Sequence, residues 1–208
     1  MSGPYKIEGV NQIYELLFCD DIELYRSAST ASGVYPWDVL FEEDADTDKL
    51  REVLYDTSLE TRPKILAARL LTENGVVEPL RRVMGVVVEA GLPDGLDVLA
   101  AYEDGSARYI NFTGKIIIWD TPTDESEALI TQLFNAGTEV VNHIGPWEGP
   151  RRPAPESGTI RLNFLVSDGL YFGEGPFEVL QKDPMGGPVI STAVKLMSHL
   201  IHQTEPEK

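Results

Sequence analysis

Residues 82–119 read Arg82-Val-Met-Gly-Val-Val-Val-Glu-Ala-Gly-Leu-Pro-Asp-Gly-Leu-Asp-Val-Leu-Ala-Ala-Tyr-Glu-Asp-Gly-Ser-Ala-Arg-Tyr-Ile-Asn-Phe-Thr-Gly-Lys-Ile-Ile-Ile-Trp119, and this stretch decides the fold class. Short runs rich in valine, isoleucine and tyrosine are separated by Pro93-Asp-Gly95, Glu103-Asp-Gly-Ser106 and Phe112-Thr-Gly114. Glycine takes backbone angles that other residues avoid, so such punctuation favours tight turns between antiparallel strands. The expectation is a meander.

Downstream, Thr123 to His143 carries Ala128, Leu129, Leu133, Phe134, Val140 and Val141 at helical spacing, with acidic residues in its first turn where the helix dipole favours them. Thr159–Val166 and Leu170–Gly173 flank Ser167-Asp-Gly169 and read as a second hairpin, which Phe177–Leu180 could extend. A closing amphipathic helix is expected from Pro188 to Ile201, before a frayed tail over Gln203–Lys208. Between the long helix and the hairpin, residues 145–158 hold four prolines and three glycines, which excludes a helix or an inner strand.

Upstream, the pattern is helical. Asn11 is placed to cap a helix over 11–19, and a short turn follows over Asp21–Arg26. Residues 27–33 are small and polar, and Tyr35–Phe41 is a hydrophobic return. Thr47 or Asp48 can cap Lys49–Tyr55, and a longer helix runs from Ser58 to the stop signal Asn74-Gly75. The texture changes at Glu78-Pro79. The reading is a single compact α+β domain over 1–208. An acidic helical segment (9–76) precedes a sheet-and-helix core (80–204), in which about five antiparallel strands (meander plus hairpin) are packed by two long amphipathic helices.

Charge narrows the function classes. The chain has 208 residues with 34 acidic and 17 basic side chains, a net charge of −17. Direct nucleic-acid binding and attachment to anionic membranes both need a basic surface, so neither is expected. No apolar run approaches the roughly 20 residues that cross a bilayer. The N-terminus lacks the pattern of a secretory signal, and a single cysteine, Cys19, sits in an apolar run that reads as buried. A cytoplasmic setting is the expectation.

No cofactor or metal motif is complete. Asp44-Ala-Asp-Thr-Asp48 opens like a calcium loop, but Lys49 stands where the sharp turn needs glycine and Tyr55 where a bidentate glutamate is needed. His199 and His202 lie three apart near the C-terminus with no cysteine to complete a site. There is no Gly-x-Ser-x-Gly elbow, and Gly173-Glu-Gly175 lacks the lysine of a phosphate loop. No residue is therefore assigned a catalytic or cofactor-binding role.

Two features stand out. Residues 1–60 hold 14 acids and 4 bases, net −10, with Glu42, Glu43, Asp44, Asp46 and Asp48 in close succession. The remaining residues hold 20 acids and 13 bases. Such a gradient can steer a basic partner. The second is Trp147, Arg151 and Arg152, residue types enriched at interface hot spots, set between prolines that limit the entropy lost on binding. The expected function is a non-catalytic protein-interaction module that uses these eight residues, in one version an inhibitor or immunity-like protein occupying a basic partner. Self-association through a sheet edge or the amphipathic helices is compatible with it. The alternative is a small enzyme or ligand-binding domain with a pocket between sheet and helices, lined by Tyr102, Tyr109, Trp119, Tyr171 and Glu174.

Overall fold

A computed structural model of the chain describes residues 3–28, 33–76 and 80–204. The change of texture at Glu78-Pro79, residues 29–32 of the small polar loop and residues 205–208 of the tail lie outside the described residues. The strands are β1 (Val83–Leu92), β2 (Gly95–Tyr102), β3 (Ala107–Ile110), β4 (Ile116–Trp119), β5 (Thr159–Val166) and β6 (Gly169–Pro176). They form one antiparallel sheet in the order β4-β3-β2-β1-β5-β6. The count is six rather than about five, because all four runs of the meander and both arms of the hairpin become strands. The hairpin does not stand apart. Its first arm, β5, pairs along β1, with Val87 opposite Asn163 and Glu89 opposite Arg161. That pairing puts β1 in the middle of the sheet, which explains its run of three valines: Val86, Val87 and Val88 are buried on alternating faces.

Both faces are covered by helices. On one lie α1 (Glu8–Leu16), α2 (Ile22–Ala28), α3 (Trp37–Leu40), α4 (Thr47–Tyr55) and α5 (Thr61–Glu73). Tyr14, Leu40, Leu50, Leu66 and Leu71 pack there against Met84, Val87, Val98 and Tyr102. The acidic N-terminal segment is thus a layer of the fold with its apolar stripe turned onto the sheet. The other face carries α6 (Asp124–Val141) and α8 (Gly186–Thr204), whose Leu133, Val189, Leu196 and Leu200 meet Val86, Val88 and Phe164. Each such fully buried side chain stabilises the fold by roughly 1.5–3 kcal/mol. Thr123 begins α6 with a reciprocal capping box to Ser126. Among the described residues no helix is long and apolar enough to cross a membrane.

Two local expectations are corrected. Asn11 does not cap α1 but lies inside it, buried, where its side chain accepts from the Tyr5 amide and donates to the Tyr5 carbonyl. It works as a clip for the chain entering the helix. Phe177–Leu180 does not extend the hairpin; it is a short helix, α7. Pro176 has no amide proton for a further ladder bond, and the Phe177 amide turns to the Gly158 carbonyl at 2.9 Å.

The α5 N-terminus ties the helical layer to the sheet. Its first amide, on Thr61, donates to Oδ2 of Asp104 in the β2–β3 turn at 2.7 Å, and the Asp104 amide donates back to Thr61 Oγ1 at 3.0 Å. Burial works against the Asp104 charge, but the bonds from Ser106 and Thr61 overcome it and hold the carboxyl below its usual range. A carboxyl lowered in the folded state stabilises above its ordinary value, 3.8, and that contribution is lost as pH falls through the lowered value. Asp104→Ala is expected to cost about 1 kcal/mol at neutral pH, as for the loss of a helix cap. Urea unfolding at neutral and acid pH should show the difference between variant and wild type shrinking on acidification.

Candidate functional site

The acidic surface begins where α3 ends. Trp37 stacks on Tyr25 and on Phe41, and Leu40 is buried, so α3 is pinned into the helical layer. The chain then emerges over 42–46 and re-enters through α4, whose Leu50, Val53 and Leu54 face inward. Glu42, Glu43, Asp44, Asp46 and Asp48 are consequently all exposed. Asp46, rather than the expected Thr47 or Asp48, caps α4: its side chain accepts from the Asp48 amide at 2.8 Å, and the helix begins at Thr47. Glu42 is 3.5 Å from Lys49 and Asp48 is 3.1 Å from Arg51. These exposed pairs are screened by water and worth little to stability.

The same surface presents an aromatic side chain. Tyr35, 43% exposed, donates its hydroxyl to Asp56 Oδ2 at 3.0 Å. Partial burial, the bond to Asp56 and the nearby charges of Asp56, Glu52 and Asp38 hold that hydroxyl above its ordinary pKa. Tyr35 therefore stands among three carboxylates, on the flank of the helix that carries Asp48. Neither Tyr35 nor its acidic neighbours Asp38, Glu52 and Asp56 is singled out by sequence reasoning. The signal is present only as acids recurring along α4 and beyond it.

The loop 145–158 has no helix or strand and runs as a strap over β1, β5 and β6 on the same face as α1, where Arg161 donates to its Arg152 and Pro153 carbonyls. Its three expected contact residues meet different fates. Trp147 is 43% exposed, its ring edge-on to Phe172 at 5.2 Å and its indole N–H donating to the Pro150 carbonyl. Arg152 is half-exposed and 3.2 Å from Glu174. Arg151 turns inward: its side chain is only 15% exposed, donates to Asp20 at 2.6 Å and to Glu15, and lies 3.9 Å over the Phe18 ring. Burial works against its charge, but Asp20 and Glu15 outweigh it. Arg151 is thus the rivet between strap and helical layer, while Trp147 and Arg152 remain at the surface.

Beneath the strap lies a cluster of charged and polar side chains that sequence reasoning missed. Glu89, Arg161 and Glu174 are cross-strand neighbours on β1, β5 and β6. Arg161, with its side chain 4% exposed, donates to Glu174, to Glu89 at 3.4 Å, and to the strap carbonyls of Arg152 at 3.2 Å and Pro153 at 2.8 Å. Glu89 also accepts from the Tyr14 hydroxyl at 2.6 Å and from the Asn163 amide at 2.8 Å. Burial pushes the Glu89 carboxyl above its ordinary value, against the pull of Tyr14, Arg161 and Asn163. The available signal was a charge in the middle of each apolar run, Val86-Val-Val-Glu89 and Ile160-Arg-Leu-Asn163. A strand buried on both faces must pair any charge it carries.

The five side chains considered as a pocket lining do not share one. Tyr102 fills the core beneath the helical layer, whereas Tyr109 and Tyr171 fill the core on the opposite face, with Trp119 packed beside them. Glu174 belongs to the cluster under the strap. Two clefts open elsewhere. One of about 180 Å³ is lined by Tyr25, Trp37 and Arg62, and one of about 520 Å³ runs between α6 and α8. In the second, His199 has Nδ1 3.5 Å from Glu125, and its ring meets Trp119 edge-on. Among the described residues no three His, Cys, Asp or Glu side chains are grouped to hold a metal ion. No protein-family model, curated protein or solved structure matches the chain.

Proposed function

We propose that the protein acts by binding, and that its acidic face over 42–48 and α4 docks a basic protein partner in a cytoplasmic setting. The observation that carries this reading is the continuous exposure of Glu42, Glu43, Asp44, Asp46 and Asp48 on the helix-bearing segment that also flanks Tyr35. A like-signed surface of this kind accelerates encounter with a basic partner. A tyrosine among carboxylates offers an arginine or lysine both a ring face and an ion pair. An inhibitor or immunity-like protein that occupies a basic partner is the specific form of the proposal. Trp147 and Arg152 supply a second contact region, while Arg151 serves it by anchoring the strap.

The test is affinity capture from the native extract at low and high salt, with wild type and a variant in which Glu42 and Glu43 become Gln and Asp44, Asp46 and Asp48 become Asn. Asparagine caps a helix as well as aspartate does, so α4 should survive. Binding of the recovered partner is expected to weaken at least about tenfold in the variant and to fall steeply with salt. Equal recovery of every partner by both proteins would refute the acidic-face reading.

A further inference from the structure

We propose that the groove beneath the strap is a recognition site for a proline-braced, arginine-bearing segment of another protein, and that the strap sits in it as an internal pseudo-ligand. The groove shares no residue with the acidic face over 42–48, and the inference does not rest on that reading. Its lining is Tyr14, Glu15, Phe18, Asp20, Phe172 and Glu174, and the strap lies on it as a bound peptide would. The Arg151 guanidinium is 3.9 Å over Phe18 and pairs with Glu15 and Asp20. Arg152 pairs with Glu174 at 3.2 Å, and Trp147 rests edge-on against Phe172. From the sheet, Arg161 donates to the Arg152 and Pro153 main-chain carbonyls. Aromatic faces, carboxylates and donors aimed at exposed carbonyls are the means by which grooves hold extended proline-rich segments.

The resident segment is held by contacts that another segment can reproduce. Residues 145–156 form no strand, and of them only Pro155 is buried. Gly145 and Gly158, at the two ends, have open space where a side chain would stand. The seat is therefore made of two arginines, two carbonyls and an indole edge rather than of apolar core.

Nor does the strap exhaust what the groove offers. Glu15, Asp20, Glu89 and Glu174 outnumber Arg161 by three, and Arg151 and Arg152 of the strap leave one carboxylate in excess. On the face of β5 that carries Arg161, Asn163 is 1% exposed and gives its amide protons to the Val87 carbonyl and to Glu89. Its buried side-chain oxygen meets no donor among the described residues. An occupant with a third cationic side chain complements this groove better than the strap does. The strap's advantage is covalent attachment, which holds it over its seat at an effective concentration of about millimolar. A partner's apparent affinity is its intrinsic affinity scaled by the fraction of open grooves, and Arg151 keeps that fraction small.

The test titrates a fluorescently labelled peptide of residues 147–154, Trp-Glu-Gly-Pro-Arg-Arg-Pro-Ala, with the full chain and follows its anisotropy. Arg151→Gln loosens the strap and leaves the groove unchanged. Gly91→Ala pushes the strap from the sheet side, and the peptide stops short of Pro155 and Glu156, whose backbone the added methyl meets. Both variants, with circular dichroism unchanged, are expected to bind the peptide at least about tenfold more tightly than the wild type, because the open fraction rises. Adding Asp20→Asn to Arg151→Gln, where no rivet is left to loosen, should weaken the peptide. A peptide with both arginines changed to glutamine should not bind. Neutralising Glu42, Glu43, Asp44, Asp46 and Asp48 in the Arg151→Gln background should leave binding as it was. Binding that is equal in wild type and variants, absent from both variants at millimolar concentration, or kept by the glutamine peptide would overturn the proposal. So would loss of binding with the five acidic residues, which would send the peptide to the acidic face.

Discussion

Arg161→Met is expected to destabilise the protein by about 3–5 kcal/mol, the cost of leaving a buried charge without its partner. Methionine keeps much of the stem volume and removes only the guanidinium, so the loss reads the pairing rather than the packing. Glu89, wholly buried, would keep the Tyr14 and Asn163 donors but lose Arg161, the cation that meets it among the described residues. Glu174 would lose one of two arginines, and the strap carbonyls of Arg152 and Pro153 would lose their donor. Adding Glu89→Gln to Arg161→Met should recover part of the loss, because the stranded charge is then gone while the amide still meets Tyr14. The pH dependence has a definite sign. A carboxyl pushed up by burial costs stability when ionised, and that cost is relieved as pH falls through the raised value toward the ordinary 4.5. Removing Arg161 takes away one of the groups that pull it down. Equilibrium unfolding in urea should show the Arg161→Met deficit largest at neutral pH and smaller on mild acidification. A deficit under about 1 kcal/mol would mean that the guanidinium is not the cluster's counter-charge.

That cluster also marks where reading the chain residue by residue stops. Local features were legible because their causes are local. Asp-Gly pairs turn the chain wherever they occur, acidic residues after Thr123 mark the start of the helix that follows, and apolar residues at helical spacing define the inward face of α4. The exposure of Glu42 to Asp48 was legible for a similar reason, since five carboxylates in succession are too costly to bury. What stayed hidden depends on partners far along the chain. Glu89 and Arg161 are 72 residues apart, and no periodicity announces that β5 will lie beside β1. Arg151 is the same problem in reverse: between prolines it looks like a free hot-spot residue, yet Glu15 and Asp20, more than 130 positions away, claim it. The tilt of a single side chain separates a contact residue from a rivet, and only the packed layers decide it.

Gly91→Ala carries the other large expectation, because it tests whether the strap is seated on the sheet. Gly91 lies on β1 two residues beyond Glu89, on the same face. A Cβ there would overlap the Glu156 carbonyl oxygen and lie 2.6 Å from its carbon and 2.8 Å from the Pro155 carbonyl oxygen. All of these are backbone atoms, so no side-chain rotation relieves the clash, and the strap itself must move. The Gly158 amide, which donates to the Gly91 carbonyl at 2.9 Å, would be drawn away with it. The expected cost is about 2–3 kcal/mol, at the upper range for overpacking. Displacement also has a chemical readout. Trypsin can cut after Arg151 but not after Arg152, which precedes proline, and in the wild type Arg151 is held inward by Asp20 and Glu15. Gly91→Ala should expose that one bond and yield fragments meeting at 151–152, identified by mass, while the wild type remains intact there under the same conditions. Asp20→Asn, which loosens the rivet without pushing the strap, should give slower cleavage at the same bond. The five-site acidic variant should give none, since Glu42 to Asp48 bear no load on the strap. Cleavage at 151–152 that is fast in Gly91→Ala, slower in Asp20→Asn and absent in the five-site variant therefore assigns the segment's conformation to its seat on β1, and an uncut, fully stable Gly91→Ala would show that the seat is elsewhere.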